Sequence, residues 1–305
     1  MKILIFSQYF WPENFRINDI ATFFSSKGNQ VTVITGYPNY PNGKIFENFN
    51  KDKKKYLKYK KINIIRVPII PRGTTRIQLF FNYISFIISG IFYAIFFKHK
   101  KYDKILFYGT SPITSAIPAL ILSKIKKIPI CLWLLDYWPY TLKDLGIIKS
   151  RYLFAVSKFF TFLIYKSFDL ILCQSKGFEN HLSKKITTKI SHLYSWPEKV
   201  FLEDTKRNKL QKYKKNFKVL FAGNIGKAQN LENLFKTIYL LKKNEHIKFF
   251  FIGDGSEKKK YEFFVKKKNL TNVIFLGKKK LSQVPSYYNS SDCLLLSLSD
   301  KFSFN

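Results

Sequence analysis

Short runs that are apolar on both faces alternate with amphipathic runs along this chain, and that order constrains the fold more than any other feature. "KILIF" (2–6), "VTVIT" (31–35), "INIIRVPII" (62–70), "KILFY" (104–108), "IPICLWLL" (128–135), "DLILCQS" (169–175) and "ISHLY" (190–194) read as strands. Helices are expected at 17–27, ending at Gly28, and at about 75–97, 111–125 and 150–167. A strand that is hydrophobic on both faces needs helices above and below it, so the pattern calls for an α/β fold with parallel sheets. A lysine-dense polar piece occupies 203–216, and then the alternation restarts. Strands are expected at 217–223, 247–254, 272–277 and 293–298, with helices at 231–243, 256–268 and 281–290. The organisation predicted is a doubly wound domain at 1–202, a basic linker at 203–216 and a second doubly wound domain at 217–305. The second domain reads as incomplete, because four strands leave a parallel sheet with a bare apolar edge. Ligands of such folds bind at the carboxyl ends of the strands.

Charge narrows the partners. The 305 residues hold 53 Lys and Arg against 19 Asp and Glu, a formal charge of +34. A lysine-rich coding bias accounts for part of that excess but not for the shortage of acids. The balance suits an anionic partner: phosphorylated substrates, an acidic membrane surface or nucleic acid. Against nucleic acid, the basic runs lack interleaved aromatic platforms and match no binding motif. Cys131, Cys173 and Cys293 all sit in apolar runs, an odd number without metal or disulfide spacing. They read as small buried hydrophobes in a reduced compartment. His99, His181, His192 and His246 are scattered, without metal or triad spacing, and read as surface or packing residues. No metal site is expected. The apolar start, "MKILIF", is too short for a signal peptide and reads as the first strand.

"IQLFFNYISFIISGIFYAIFF" (77–97) is 21 residues without a charge. At about 1.5 Å per residue it would reach across a bilayer. Topology argues against a crossing, since strand 104–108 should join the sheet of strand 62–70. Two readings remain: a core crossover helix, or a helix lying in the membrane interface beside "KHKK" (98–101) and "KDKKKYLKYKK" (51–61).

Three strand ends of the second domain carry glycine. In "FAGNIGKAQN", backbone N–H groups from Gly223 to Gly226 could face an anion, with Lys227 as a full charge. The sequence matches neither GxGxxG nor a P-loop, and a plain βα turn would also use these glycines. "FIGDGS" places Gly253 and Gly255 after the next strand, and "FLGKKK" places Gly277 after the third. One binding edge explains all three, and a nucleotide diphosphate suits it. In the first domain Asp136 of "LLDYWP" falls just past a strand, placed for substrate contact or for capping the following turn. Glu13, Asn14 and Arg16 lie among aromatics in "SQYFWPENFRIND", an environment suited to a sugar or to a solvent loop stapled by Trp11. The first βα turn has no glycine, which argues against a nicotinamide-dependent oxidoreductase.

"YFWPENFRINDIA", "LDYWP", "FAGNIGKAQNLENL", "FIGDGSE" and "VIFLGKKKLSQVPSYYNSSDCLLLSL" resemble, in order and along almost the whole chain, the GT-B glycosyltransferases of bacterial surface-polysaccharide synthesis. The likeness is to the group 1, family-four retaining enzymes, and within them to amino-fucose transferases of O-antigen and capsule synthesis. It implies two Rossmann-like domains flanking a cleft. The C-terminal domain would bind a UDP- or GDP-sugar, with no further cofactor and no metal. The N-terminal domain would bind a lipid-linked glycan acceptor on a polyprenyl diphosphate, at the inner face of the cytoplasmic membrane. It implies donor contacts from Gly223, Asn224, Gly226, Lys227, Gln229, Gly253, Gly255 and Gly277. Asp136 would lie near the transferred sugar, as the catalytic candidate, and Glu13, Asn14 and Arg16 would contact the acceptor. The family often has Arg at the place of Asn224 and Lys near Gln229, which leaves Lys227 as the cation here. The family's Glu-x7-Glu segment follows the strand that matches 293–298, and this sequence ends before it. The resemblance therefore predicts a fragment with little or no activity by itself; a non-catalytic binding module is the alternative.

Overall fold

The structure is a computed structural model that describes residues 1–96, 101–203 and 209–298. The chain divides into two compact units, Met1–Tyr194 and a second that begins at Ser195.

The first unit is built in the order β1 (Lys2–Phe6), α1 (Ile17–Ser26), β2 (Gln30–Gly36), α2 (Glu47–Lys51), β3 (Lys58–Tyr59), β4 (Ile62–Val67) and α3 (Arg76–Phe96). It continues with β5 (Lys104–Gly109), α4 (Ile117–Lys126), β6 (Ile130–Leu134), α5 (Tyr140–Asp144), α6 (Arg151–Lys166), β7 (Leu170–Cys173), α7 (Lys176–Ser183) and β8 (Lys189–His192). The sheet order is β3-β4-β2-β1-β5-β6-β7-β8. Every pairing is parallel except β3 with β4. Sequence periodicity does not show β3: a two-residue ladder inside a lysine run carries no alternation, and its lysines blunt the sheet edge. Leu4, Phe6, Ile34, Phe107, Leu132 and Ile171 form one core with α3, α4, α6 and α7. The opposite face, including Ile5 and Val33, is buried, and α1 packs against β2 and β4.

The second unit follows β9 (Phe217–Ala222), α8 (Leu231–Leu240), β10 (Ile247–Ile252), α9 (Lys258–Lys267), β11 (Val273–Gly277), α10 (Val284–Asn289) and β12 (Cys293–Leu294). Its parallel sheet has the order β11-β10-β9-β12. Alternate residues serve opposite layers, as the pleat requires. Val219, Phe221, Phe249 and Phe251 pack with Phe235 of α8 and Tyr261 of α9. Leu220, Phe250 and Ile252 pack with Leu210 and with Tyr287 and Tyr288 of α10.

Several expectations are corrected. The stretch 111–125 opens as a 3-10 turn, Ile113–Ala116, before α4 begins. The helix expected at 231–243 stops at Leu240, and that at 281–290 is a 3-10 turn followed by α10. The strand expected at 293–298 pairs only over Cys293–Leu294. It lies at a sheet edge, so Cys293 is exposed and not buried, and Leu296 is 83% exposed. Cys173 is buried and Cys131 half-buried, and desolvation pushes both thiols up to about 12. Residues 98–100 of "KHKK", including His99, 204–208 of the linker and 299–305 lie outside the described residues.

The long helix α3 is a crossover, joining β4 to β5 within one sheet. Its polarity is inverted. Asn82 is buried, takes a hydrogen bond from Gln8 Nε2 at 2.8 Å and donates to the Ile70 carbonyl at 2.6 Å. Ser85 Oγ accepts from the Ile70 N–H, and Ser89 Oγ donates to the Pro68 carbonyl. Gly90 lets the helix close on α4: a Cβ there would stand 2.8 Å from Pro118. Outward it presents Ile77, Phe80, Phe81, Ile88, Phe92, Ile95 and Phe96.

Candidate functional site

Gly223, Gly253 and Gly277 terminate three adjacent strands, and the structure brings them together. The Gly253 N–H donates to the Gly277 carbonyl at 3.2 Å, and the Gly223 N–H donates to Ile252 at 2.9 Å. A Cβ on Gly253, whose φ is +135°, would stand 1.8 Å from the Gly223 carbonyl oxygen. Gly255 is equally constrained, with a virtual Cβ 2.4 Å from the Ile225 carbonyl oxygen. Only glycine lets these backbones approach so closely. Ile225 is fully buried and locks the two loops: its N–H donates to Asp254 and its carbonyl accepts from Glu257. That anchor was missed in the sequence, where an isoleucine between glycines reads as loop filler.

The loop therefore spends two of the N–H groups assigned to an anion, those of Gly223 and Ile225, on the fold itself. Asn224 and Gly223 remain exposed, and Asn224 Nδ2 donates to Gln229 Oε1 at 3.4 Å. The Gln229 carbonyl takes the Ser297 hydroxyl at 2.7 Å, so Gln229 braces the loop. Gly226 is buried against Asn224. A 3-10 turn, Lys227–Gln229, separates the glycines from α8. Lys227 is exposed, and among the described residues no carboxylate pairs with it. An uncompensated lysine beside a glycine edge is a place for a polyanion.

The corresponding strand ends of the first unit are furnished with side chains. Asp136 follows β6, and Ser111 Oγ donates to its Oδ2 at 2.7 Å while Trp138 Nε1 donates to Ser111 Oγ at 2.8 Å. The carboxylate is thus aimed by a Trp–Ser relay and does not cap the following turn. Tyr165 fixes the same loop, its hydroxyl accepting from the Trp138 N–H and donating to the Trp138 carbonyl.

Glu13 is 2% exposed. Its Oε1 accepts from the N–H groups of Asn39 and Tyr40 at 2.8 and 2.7 Å, and its Oε2 from Phe10 at 3.3 Å. Burial pushes its carboxyl up to about 7, against the pull of those donors and of Arg66. The half-buried Arg66 guanidinium donates to the carbonyls of Gly36 and Trp11. Trp11 stacks on Tyr56 and Tyr59, the staple expected as the alternative for this loop. Glu13 therefore positions two loops, while Asn14 is exposed and Arg16 pairs with Asp19 at 3.2 Å.

A cluster beside it went unnoticed in the sequence. Tyr9 stacks on Phe15 at 5.0 Å, and Tyr40 leans on both rings. Arg72 lies over the Tyr40 ring at 5.4 Å, and its Nη1 donates to Tyr9 Oη at 3.0 Å. Nothing in "PRGTT" marks Arg72, because the groups that bond it, Asn39 and Tyr9, lie 33 and 63 residues away.

The family model for Glycosyl transferases group 1 matches residues 203–302. WcaI of Escherichia coli strain K12, whose name places it among colanic acid biosynthesis glycosyl transferases, is 23% identical over 97% of this chain and 76% of its own length. Among solved structures, sucrose-phosphate synthase from Thermosynechococcus elongatus superposes with a TM-score of 0.69 at 13% identity, over 97% of this chain and 75% of that one. HepE of Anabaena, solved with UDP and glucose, gives 0.63 at 15% identity, over 98% and 74%.

Proposed function

We propose that this chain, a glycosyltransferase of the GT-B fold with a group 1 domain in its C-terminal unit, moves a sugar from a UDP- or GDP-sugar onto a lipid-linked glycan in surface-polysaccharide biosynthesis. One observation carries the donor assignment. The interlocked glycine edge of Gly223, Gly253 and Gly277 stands beside Lys227, which no carboxylate pairs among the described residues, inside the span that the family model matches. HepE, with the same fold, was solved with UDP. In this reading Lys227 offsets the charge that builds on the departing diphosphate, the chief demand of glycosyl transfer. Asn224 and Gln229 shape the loop around it. Asp136 faces the transferred sugar, held by Ser111 and Trp138, and the anomeric configuration is retained.

Titration calorimetry of the 305-residue chain with UDP and GDP tests the assignment. Micromolar binding of one nucleotide, weakened about tenfold in Lys227→Ala, is the expected result; tenfold corresponds to about 1.4 kcal/mol. Binding of neither nucleotide sinks it. Turnover is a separate assay.

We place the protein on the inner face of the cytoplasmic membrane, peripheral and on an anionic leaflet. The inverted polarity of α3 supports this, and α6 repeats the pattern. Tyr152, Val156, Phe159, Phe160 and Leu163 form an exposed apolar stripe on α6, while Thr161 and Tyr165 point inward. Both helices pack against Ile113–Ala116. Arg76, Lys149, Arg151 and Lys166, all exposed, flank the two stripes, and each basic side chain near an anionic surface contributes about 1 kcal/mol. Sedimentation with phosphatidylglycerol vesicles should carry the protein down, and Phe92→Asp combined with Phe159→Asp should release it. Equal binding to duplex DNA would favour nucleic acid instead.

A further inference from the structure

We propose that Arg72, held by Tyr9 and Tyr40 at the strand-end edge of the N-terminal unit, is a binding site for a phosphate or diphosphate group on the acceptor. The inference rests on the reading that this unit takes the acceptor, and it names the chemical group recognised there.

The argument starts from a charge without a counter-ion. Arg72 is half-buried, and among the described residues no carboxylate pairs with it. Taking a guanidinium partly out of water costs free energy unless an anion or strong acceptors compensate. Its compensation is phenolic. Tyr9 Oη accepts from Nη1, and the Tyr40 ring lies beneath the guanidinium. Neutral phenols orient a cation without neutralising it, and burial keeps the Tyr9 and Tyr83 hydroxyls protonated. The fork is further fixed at its base, because the Arg72 N–H donates to Asn39 Oδ1 at 2.9 Å. Asn39 is itself fixed by the buried Glu13. An oriented guanidinium that no carboxylate neutralises among the described residues is the group best matched to the paired oxygens of a phosphate.

Two neighbours link this site to the chemistry. Tyr83 feels the charge of Asp136 as well as that of Arg72, so the proposed anion site and the candidate catalytic carboxylate lie within electrostatic reach of one phenol. Tyr83 also belongs to α3, whose outer face is apolar. A phosphate carried on a lipid could reach Arg72 along the helix that meets the bilayer, whereas a water-soluble phosphate would need no such helix.

Calorimetry of the 305-residue chain separates these sources. The probes are farnesyl diphosphate in sub-micellar solution, farnesol and inorganic pyrophosphate, each with wild type, Arg72→Lys and Arg72→Ala. Farnesyl diphosphate should bind, Arg72→Ala should lose at least tenfold and Arg72→Lys less, and farnesol should not bind. Pyrophosphate binding with equal affinity and the same Arg72 dependence would keep the anion site and remove the lipid as its source. UDP is titrated in parallel. If UDP binds all three proteins and no phosphate probe responds to Arg72, the proposal is overturned while the donor reading stands. If UDP also fails to bind wild type, the functional reading itself falls. A fluorescence melt of each variant guards against unfolding, and loss of farnesyl diphosphate binding with an unchanged melt and unchanged UDP affinity is the outcome the proposal requires.

Discussion

The strand-end edges of the two units are built from different materials. In the C-terminal unit the edge is backbone against backbone, with Gly253 and Gly255 pressed on the carbonyls of Gly223 and Ile225. In the N-terminal unit it is side chain on side chain, from the Trp138–Ser111–Asp136 relay to the rings around Arg72. A backbone edge suits a ligand group that never varies, such as a diphosphate. A side-chain edge can be rewritten one residue at a time, which suits an acceptor that differs between polysaccharides.

The comparison breaks most sharply at Gly253. Gly253→Val forces a side chain into a carbonyl at 1.8 Å, with φ at +135°, and should cost about 4 kcal/mol or more. Urea unfolding should show the C-terminal unit lost, with UDP binding gone. On the other edge Asp136→Asn can still accept from Ser111, so its melt should stay within about 1 °C while kcat falls roughly 100-fold. A melt that drops with the rate would make Asp136 structural.

Glu13 offers a pH test of the side-chain edge. Its folded pKa, about 7, lies above the ordinary 4.5, so the native state keeps a proton that the unfolded chain has released. Stability from this group is full below about pH 4.5 and is lost as pH rises through 7, by up to about 3 kcal/mol. Glu13→Gln should flatten that slope in urea midpoints taken at pH 5 and pH 8. The smallest effect is expected at Gly223, where a Cβ would make only an ordinary contact with Phe221 at 3.7 Å. Gly223→Ala should shift stability by less than about 0.5 kcal/mol. Two glycines of one edge would then differ more than eightfold in energetic weight.

The same contrast explains what could be read in advance. The sheets were legible because strands buried on both faces leave continuous apolar runs, and the glycines because three successive strands end on one. Glu13 was visible as an acid among aromatics, but its partners are N–H groups of residues 10, 39 and 40, which no local pattern reveals. Arg72 was invisible for the same reason, since long-range packing alone assembles its rings. The edge strand β12 was overextended because an apolar run looks the same whether or not a neighbour pairs with it.

The order of elements bears on how the N-terminal unit is made. β1 pairs with β5 across 101 residues, from Ile3 to Lys104, and α3 is finished before either β5 or α4 exists. At about 5–20 residues per second, a ribosome needs roughly 2–6 seconds to pass from Phe96 to Lys126. During that interval the nascent chain carries a 21-residue apolar helix beside an unfinished sheet of β1 to β4, before α4 is complete. If the peripheral membrane placement proposed above holds, a lipid surface would cover that helix during the interval and act as a scaffold for folding.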